Sequence, residues 1–596
     1  MISTIRQILI VLLVSSYCYA AEIDLPQDAN GWTVFTPSDD SRIIYVAADG
    51  NDSCSYYDDD DAVIGTDPFQ PTGTIAPCAT YAAAYALARV GYPDWVLFKR
   101  GDTFTITSSI VPKGGRSTTE PSLIGAYGAT GNSPLIKTRT NLQALRMTGL
   151  GSGFTAVSGL DFYAYTRDPE DAGYVAPADP DIDTGLFLDV PNGAVLIEGC
   201  KFRFYDDNLV NGPWDGLTIR RSVFLDNYAG TGQSHSQGIL ITSITSLLLE
   251  ENVFDHNGWL VPAGGGVGEA TNYNHNIYSA YVSGAIYRNN ITTRGSNMNL
   301  KFTASHYSNT SPILVDNNLI IDGQQGVGLG NNTSGYEPFN DFTISNNVIS
   351  NLGKSDHLQS IAWGIDIGFD STDTVVSQNL LINQKDSTID NNFVFGLAGL
   401  QTNVLFTENI AYNFKHGHGL FISLLGQVGS SGTKTNCSFS NNDIQEPTDA
   451  SYFVYVNAGG AVTSGITFAN NNYYGDRSTS DLFRNATTLT SYSLAGWATA
   501  TGDNSTITEQ TYPYSTRDIE SYMTSIGETA TIDAFITKCR AQDRYNWDTK
   551  CSAEAVNNYI RAGFGMKQHG SGGTAAMTGA GSIPLSGAGS MTLTTD

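Results

Sequence analysis

Charge is scarce in this chain, and basic charge scarcest: Asp, Glu, Lys and Arg make 15% of the residues, with 31 Lys and Arg against 58 Asp and Glu. Ordinary domains carry about a quarter charged residues. The net charge of −27 excludes nucleic acid as a partner, because phosphate binding needs clustered cations. It also obliges any anionic ligand to meet a local basic patch or a bound cation. Long hydrophobic runs are lacking as well. After the first twenty residues nothing is apolar for long enough to span a bilayer, so no membrane span is expected. The patterning of a helical enzyme is missing too. What the chain has in plenty is Gly, Asn, Thr, Ser and Tyr, the composition of many short strands joined by many turns.

Residues 1–20 read as a secretion signal. Arg6 supplies the positive start, residues 8–14 an apolar centre too short for a membrane span, and Cys18-Tyr19-Ala20 a cleavage region. Export, to the periplasm or the exterior, is therefore expected. In an exported chain, cysteines near one another are disulfide candidates. Cys54 with Cys78 and Cys539 with Cys551 each close a short loop near one end. Cys200 and Cys437 fall inside the repeats and are expected as buried thiols.

The central feature is a recurring pattern: apolar, any, any, Asn, apolar. It places Asn at 252, 290, 318, 347, 379, 409, 442 and 471, with intervals of 38, 28, 29, 32, 30, 33 and 29 residues. Ser222 and Cys200 hold the equivalent place in two earlier units. A period near thirty with strand-like alternation means one coil of a solenoid per repeat. At a tight turn the Asn amide caps backbone groups and tolerates left-handed dihedrals, and stacked amides bond from coil to coil.

This ladder resembles that of the pectate-lyase-like family of right-handed parallel β-helices. The segments 44–52 and 95–104, with a helix-like stretch between them at 79–90, are similar to the start of many such proteins. The resemblance covers roughly residues 43–500. It implies an all-β parallel β-helix with an N-terminal helical cap, which shields strand edges and core. The expected organisation is a signal peptide (1–20), a lead-in segment and cap (21–110), the parallel β-helix (111–512), a C-terminal helical cap (513–565) and a Gly/Ser/Thr tail (566–596). The architecture hosts many chemistries, so function must come from the site.

Stacking turns register into neighbourhood, because coils lie about 4.8 Å apart. One column, four residues after each ladder position, runs Asp226, His256, Arg294, Asp322 and Asn351. A second, pointing outward from the next strand, runs Leu240, Tyr278, Lys301, Gly328 and Asp366. The longest coil, between Asn252 and Asn290, adds Trp259, Glu269, Tyr273, Asn274 and His275. Long insertions on one face of a solenoid usually carry function. The candidate catalytic set is therefore Lys301, Arg294, His256, His275 and Tyr278. The candidate substrate contacts are Trp259, Asn274, Asp366, Glu269 and Tyr273, with Trp214 and Trp363 as further sugar-stacking rings.

The favoured chemistry is β-elimination on a uronate-containing polysaccharide, in which a neutralised carboxylate acidifies the adjacent C–H, a base takes the proton and an acid protonates the leaving oxygen. Lyases of the resembled fold commonly use Lys or Arg with calcium (Ca2+), which makes Lys301 and Arg294 attractive and calcium a candidate cofactor. Asp179, Asp181 and Asp183 are its expected ligands. The run 58–61, four consecutive Asp, is expected as a solvated loop. A hydrolase on the same scaffold is the alternative, with Asp322, Asp366, Asp370 and Glu269 as candidate carboxylates. His416-Gly417-His418-Gly419 resembles the Gly-His-Gly of polygalacturonases, but the paired Asp motifs that should precede it are missing. A noncatalytic glycan-binding surface protein is the other alternative. A monomer is expected.

Overall fold

The computed structural model describes residues 22–149, 151–177, 183–230, 235–304, 312–330, 336–358, 361–384, 392–413, 418–423, 432–446, 452–457 and 465–569. It is a parallel β-helix. Each central coil contributes three strands, and each strand pairs in parallel with its counterpart one coil on. The front face is built by β1 (His275–Ala280), β2 (Met298–Thr303), β3 (Gln325–Gly330), β4 (Ala362–Ile367), β5 (Asn392–Leu397), β6 (His418–Ser423) and β7 (Tyr452–Asn457). A side face follows, with strands such as Ser283–Arg288 and Ile313–Asp316. The third face consists of three-residue strands such as Val253–Asp255, Ile291–Thr293 and Leu319–Ile321.

The amide ladder occupies the corner between the side face and the short strands. The backbone N–H and the Nδ2 of Asn252 both donate to Oδ1 of Asn290, each at 3.0 Å. The same pair of bonds repeats at Asn290–Asn318, Asn318–Asn347, Asn347–Asn379, Asn379–Asn409, Asn409–Asn442 and Asn442–Asn471. Ser222 and Cys200 continue the ladder toward the N-terminus: Ser222 N–H donates to Asn252 Oδ1 at 2.9 Å and Cys200 N–H to Ser222 Oγ at 3.2 Å. Ser505 receives the last rung from Asn471, a position the spacing did not reveal. The left-handed conformation falls not on the ladder residue but on the one before it, as at Glu251, Asn289, Asn317, Asn346 and Gln378. One residue makes the bend and its neighbour bonds across coils. Inside, columns of like residues stack, as in Phe162, Phe202, Phe224 and Phe254 with ring centroids 4.9, 5.3 and 4.7 Å apart.

Helix α1 (Tyr81–Leu87) packs near the first strand, with Tyr81 stacked on Phe98 at 6.1 Å. At the other end α2 (Leu494–Thr501) sets the fully buried Trp497 against Phe483 at 4.8 Å and Phe468 at 5.2 Å, closing the core. The later helices α3 (Ile519–Ser525), α4 (Ile532–Ala541) and α5 (Ala553–Gly563) do not sit on that end. They lie along the flank and cover the outward apolar column of the short-strand face, including Val253, Ile291, Leu319, Val348 and Leu380. This strap runs back toward the N-terminal coils. Arg561 reaches Gln378 O and Asn346, Asn557 reaches Asn317, Arg540 pairs with Asp226 and Asp255, and Arg544 pairs with Glu198.

The Cys54–Cys78 disulfide is formed, and Cys200 and Cys437 are buried thiols. The expected Cys539–Cys551 disulfide is not. Both are buried free thiols inside the strap, where the Cys539 thiol lies 3.8 Å from the Cys551 carbonyl and the two thiols interact without a covalent bond. No described helix is long and apolar enough to cross a membrane.

The ladder predicts its own sensitivity. Asn347→Ala leaves two buried donors of Asn318 without an acceptor and should cost about 3 kcal/mol, since each stranded group costs roughly 1–3 kcal/mol. A urea midpoint equal to that of the wild type would contradict this role.

Candidate functional site

The two columns read from the sequence are both present, and the structure assigns them different work. The first column is a second bend of the coil. Asp226, His256, Arg294, Asp322 and Asn351 all have φ between +47 and +59. Asp, Asn and His suit left-handed positions, so turn geometry accounts for His256. Its Nδ1 lies 2.9 Å from Asp226 Oδ1. Arg294 makes a two-pronged pair with Asp255 at 2.8 and 2.6 Å, and Arg540 of α4 bridges Asp255 and Asp226. His256 and Arg294 thus belong to an ion-pair network beneath the strap. Trp259 is packed, not free to receive a sugar: it stacks on His357 at 4.1 Å, touches His256 at 4.2 Å and donates from Nε1 to Arg294 O.

The rest of the long coil divides similarly. Asn274 is fully buried; it accepts from Ser236 N–H and donates to Gly258 O, which fixes a turn. Glu269 closes its own loop by accepting from Gly264 N–H at 2.8 Å. Tyr273 is 57% exposed, with its ring 5.3 Å from that of His235. Trp214 is buried, and its Nε1 donates to Asn211 O.

Asp179 and Asp181 lie outside the described residues, as do His306 and His416. Asp183 is buried, accepts from Leu142 N–H at 3.0 Å and lies 3.9 Å from the Arg167 guanidinium. A carboxylate facing a guanidinium does not suit a cation. Among the described residues no group of three or more His, Cys, Asp or Glu side chains converges to hold a metal. Of the three expected calcium ligands, Asp183 is the one among the described residues, and protein groups hold it.

The second column is where chemistry can sit. Leu240, Tyr278, Lys301, Gly328, Asp366 and Gly396 are successive register partners on the front face. Parallel to it run His275, Met298, Gln325, Trp363 and Phe393 on one side and Ala280, Thr303, Gly330 and Gly368 on the other. The glycines make a trough. A methyl group at Gly330 would lie 2.6 Å from Lys301 Nζ, and one at Gly368 would lie 2.5 Å from Asp366 Oδ2. One at Gly396 would collide with Asp366 Oδ1. Gly330 and Gly368 occupy neighbouring coils, whose strands are about 4.8 Å apart. Lys301 and Asp366 therefore reach into one recess from opposite sides, with Gly328 between them.

Among the described residues neither group has a hydrogen-bond or ion-pair partner. Burial is the main influence on both. It pulls Lys301 down to about 8, against the pull of Asp366, and pushes Asp366 up to about 7, against the pull of Lys301. Lys434 makes the contrast plain. Burial lowers it as well, but its ammonium donates to three carbonyls, those of Gly399, Ser423 and Gly432. Lys434 ties loops together, whereas Lys301 has its donors unused.

Tyr278 and His275 complete the recess. The Tyr278 hydroxyl accepts from Thr303 Oγ1 at 3.0 Å, which leaves its own proton free to donate. His275 stacks on Tyr278 at 5.4 Å, and its Nδ1 accepts from Met298 N–H at 3.2 Å. Burial and the nearby Lys301 hold His275 well below its ordinary value, so it is a neutral ring with Nε2–H as donor. Further along the same face Trp363 stacks on Phe393 at 4.8 Å and Phe393 on Phe421 at 5.5 Å.

The reading of the sequence missed Met298, Gln325, Gly330, Gly368 and Gly396. The first two were accessible by stepping back three positions from Lys301 and Gly328. The glycines matter only through what lies over them, which no sequence pattern marks.

No family model and no curated protein sequence matches the chain. Solved structures do resemble it in outline. A mannuronic acid specific polysaccharide family 6 lyase from human gut microbiota is 15% identical over 78% of this chain and 93% of that one, with a TM-score of 0.42. The A-module of the Azotobacter vinelandii mannuronan C-5 epimerase AlgE4 is 14% identical over 70% and 93%, with a TM-score of 0.36. A GH136 lacto-N-biosidase from Eubacterium ramulus is 11% identical over 78% and 67%, with a TM-score of 0.35. At these values the likeness carries nothing beyond the fold, which the strand register shows directly.

An unpaired ammonium in this recess burdens the fold. With its folded value near about 8 and an unfolded value near about 10.4, Lys301 costs stability at every pH where the unfolded chain is the better proton binder. The cost grows as pH falls from the unfolded to the folded value and is then constant. Lys301→Met should therefore melt at a higher temperature than wild type at weakly acidic pH, with the gap shrinking under strongly alkaline conditions. A lower melting temperature for the variant at weakly acidic pH would count against the recess as drawn.

Proposed function

We propose that the chain is an exported polysaccharide lyase that cleaves an acidic, uronate-containing glycan by β-elimination in the Lys301–Asp366 recess. One observation carries the reading: an ammonium pulled down to about 8 and a carboxyl pushed up to about 7 share a glycine-floored trough without pairing. Groups poised near neutrality and left unpaired suit proton transfer.

Neutral Lys301 takes the proton from the carbon beside the sugar carboxylate. The electron pair forms the new C=C bond, and the bond to the glycosidic oxygen breaks. Tyr278, whose hydroxyl proton is uncommitted, protonates the departing oxygen. Protonated Asp366 and His275 Nε2–H donate to the sugar carboxylate, weakening its charge and acidifying the C–H. Arg294 has no step here, because Asp255 and Arg540 occupy its surroundings. A hydrolase needs a second carboxylate across the bond. In the described outward columns from His275 to Asn457, Asp366 is the sole carboxylate.

Incubation with alginate, polygalacturonate and sulfated algal uronans should yield ultraviolet absorbance from unsaturated ends with at least one of them. Lys301→Ala should lose it by about 100-fold or more, the scale of a positioned general base. The active form carries neutral Lys301 and protonated Asp366, so the rate should peak between the two values, near pH 7 to 8. Asp366→Asn should abolish the alkaline fall and shift the rise to lower pH, because the carboxylate that favoured the ammonium is gone. Reducing ends without absorbance would indicate hydrolysis and overturn the lyase reading.

A further inference from the structure

Between Lys301 and Asp366 the trough has a polar floor with an unused acceptor. Gln325 is 2% exposed and its Oε1 has no hydrogen-bond partner among the described residues. A relay fixes which end of its amide is free. Asn297 Nδ2 donates to Asn272 O at 2.8 Å, so Asn297 Oδ1 is the end presented to Gln325. Gln325 Nε2 donates to that oxygen at 3.1 Å, and its backbone N–H donates to Asn297 O, also at 3.1 Å. The amide cannot turn over without setting acceptor against acceptor, so Oε1 points away from Asn297. It lies 3.7 Å from where a methyl group at Gly328 would stand, and the Met298 thioether, 2.7 Å from the same point, covers it.

A buried amide oxygen without a donor is uncommon in a packed fold, and it invites a partner that arrives from outside. Met298 is a suitable cover, since a thioether on three rotatable bonds moves aside readily. The ladder gives no reason for Gln at this place: the register partners of Gln325 are Met298 and Trp363, neither of which bonds to it through its side chain.

From this geometry we propose that Gln325 is a specificity-determining residue whose Oε1 accepts a hydrogen bond from a free ring hydroxyl of the sugar seated over Gly328. The inference rests on reading the trough as the glycan site, and it adds a discrimination. An acceptor-only group rewards a hydroxyl and rejects the same position once it is O-acylated, because the ester has no hydrogen to give and adds bulk over Met298. The substrate class is then an acidic glycan with unesterified hydroxyls at the central sugar. A site built to bond a hydroxyl discriminates strongly against analogues that lack it.

The test uses the full chain with mannuronate and galacturonate oligosaccharides, each free and O-acetylated. Binding is followed by calorimetry, and turnover by absorbance of unsaturated ends. Wild type should prefer the free form of its sugar by about ten-fold or more, and Gln325→Leu should bring that ratio close to one. Because the ratio is taken within each variant, a reduced folded fraction cancels. Gln325→Met, which keeps the length of the side chain, gives the same comparison should the leucine variant fail to fold. Gln325→Glu keeps oxygen acceptors and should retain the preference. A preference that survives in Gln325→Leu or Gln325→Met, or that is absent from wild type, overturns the proposal while leaving a lyase intact. Binding with the expected ratios but no unsaturated ends overturns the lyase reading and leaves Gln325 in its role.

Discussion

The structure depends on a buried amide ladder. Each ladder Asn from 290 to 442 offers one side-chain oxygen to two donors of the preceding coil and spends its own donors on the next coil and on a backbone carbonyl. A slip of one residue in any coil would strand several of these groups at once in a dry core, where each costs free energy. The ladder therefore fixes register as well as holding coils together. Everything on the surface inherits that register: residues far apart in the chain stand side by side because the amides beneath them do.

Register alone does not make a site; the space left beside each side chain does. On most of the front face, neighbouring coils fill each other's gaps with stacked rings, as Trp363, Phe393 and Phe421 do. Around Lys301 and Asp366 the neighbours are glycines, so the ammonium and the carboxyl lie over a recess instead of reaching into solvent. Partial loss of water then moves both groups toward neutrality with no dedicated charge partner. The flank strap works in the opposite way. Arg540 and Arg544 cross to carboxylates of distant coils, every charge in that network is matched, and the outcome is adhesion.

The architecture was legible because the ladder repeats in sequence, down to the Ser and Cys that replace Asn in the early coils. The Tyr278–Lys301–Asp366 column was legible for the same reason, since a constant offset from a repeating mark becomes a straight line in space. The role of the other column was not. His256 and Arg294 are adjacent as the spacing implied, but their bend is one where left-handed geometry selects the residue and a helix from some 250–300 residues further along the chain supplies the partner. No local pattern announces where a C-terminal helix will land. Trp259 and Asn274 were misjudged alike: a ring or an amide on a long coil is as useful for holding that coil down as for touching a ligand, and only contacts tell the two apart.

The central claim is that stacking places Lys301 and Asp366 in one partly dry recess, where each feels the other. The most direct measurement is the pH dependence of Lys301 acylation, followed by peptide mass analysis in wild type and in Asp366→Asn. The account predicts half-reaction near about 8 in wild type, well under the ordinary lysine value of about 10.4, and a further fall in the variant. A Lys301 that titrates like a surface lysine, with the same midpoint in both proteins, would contradict it.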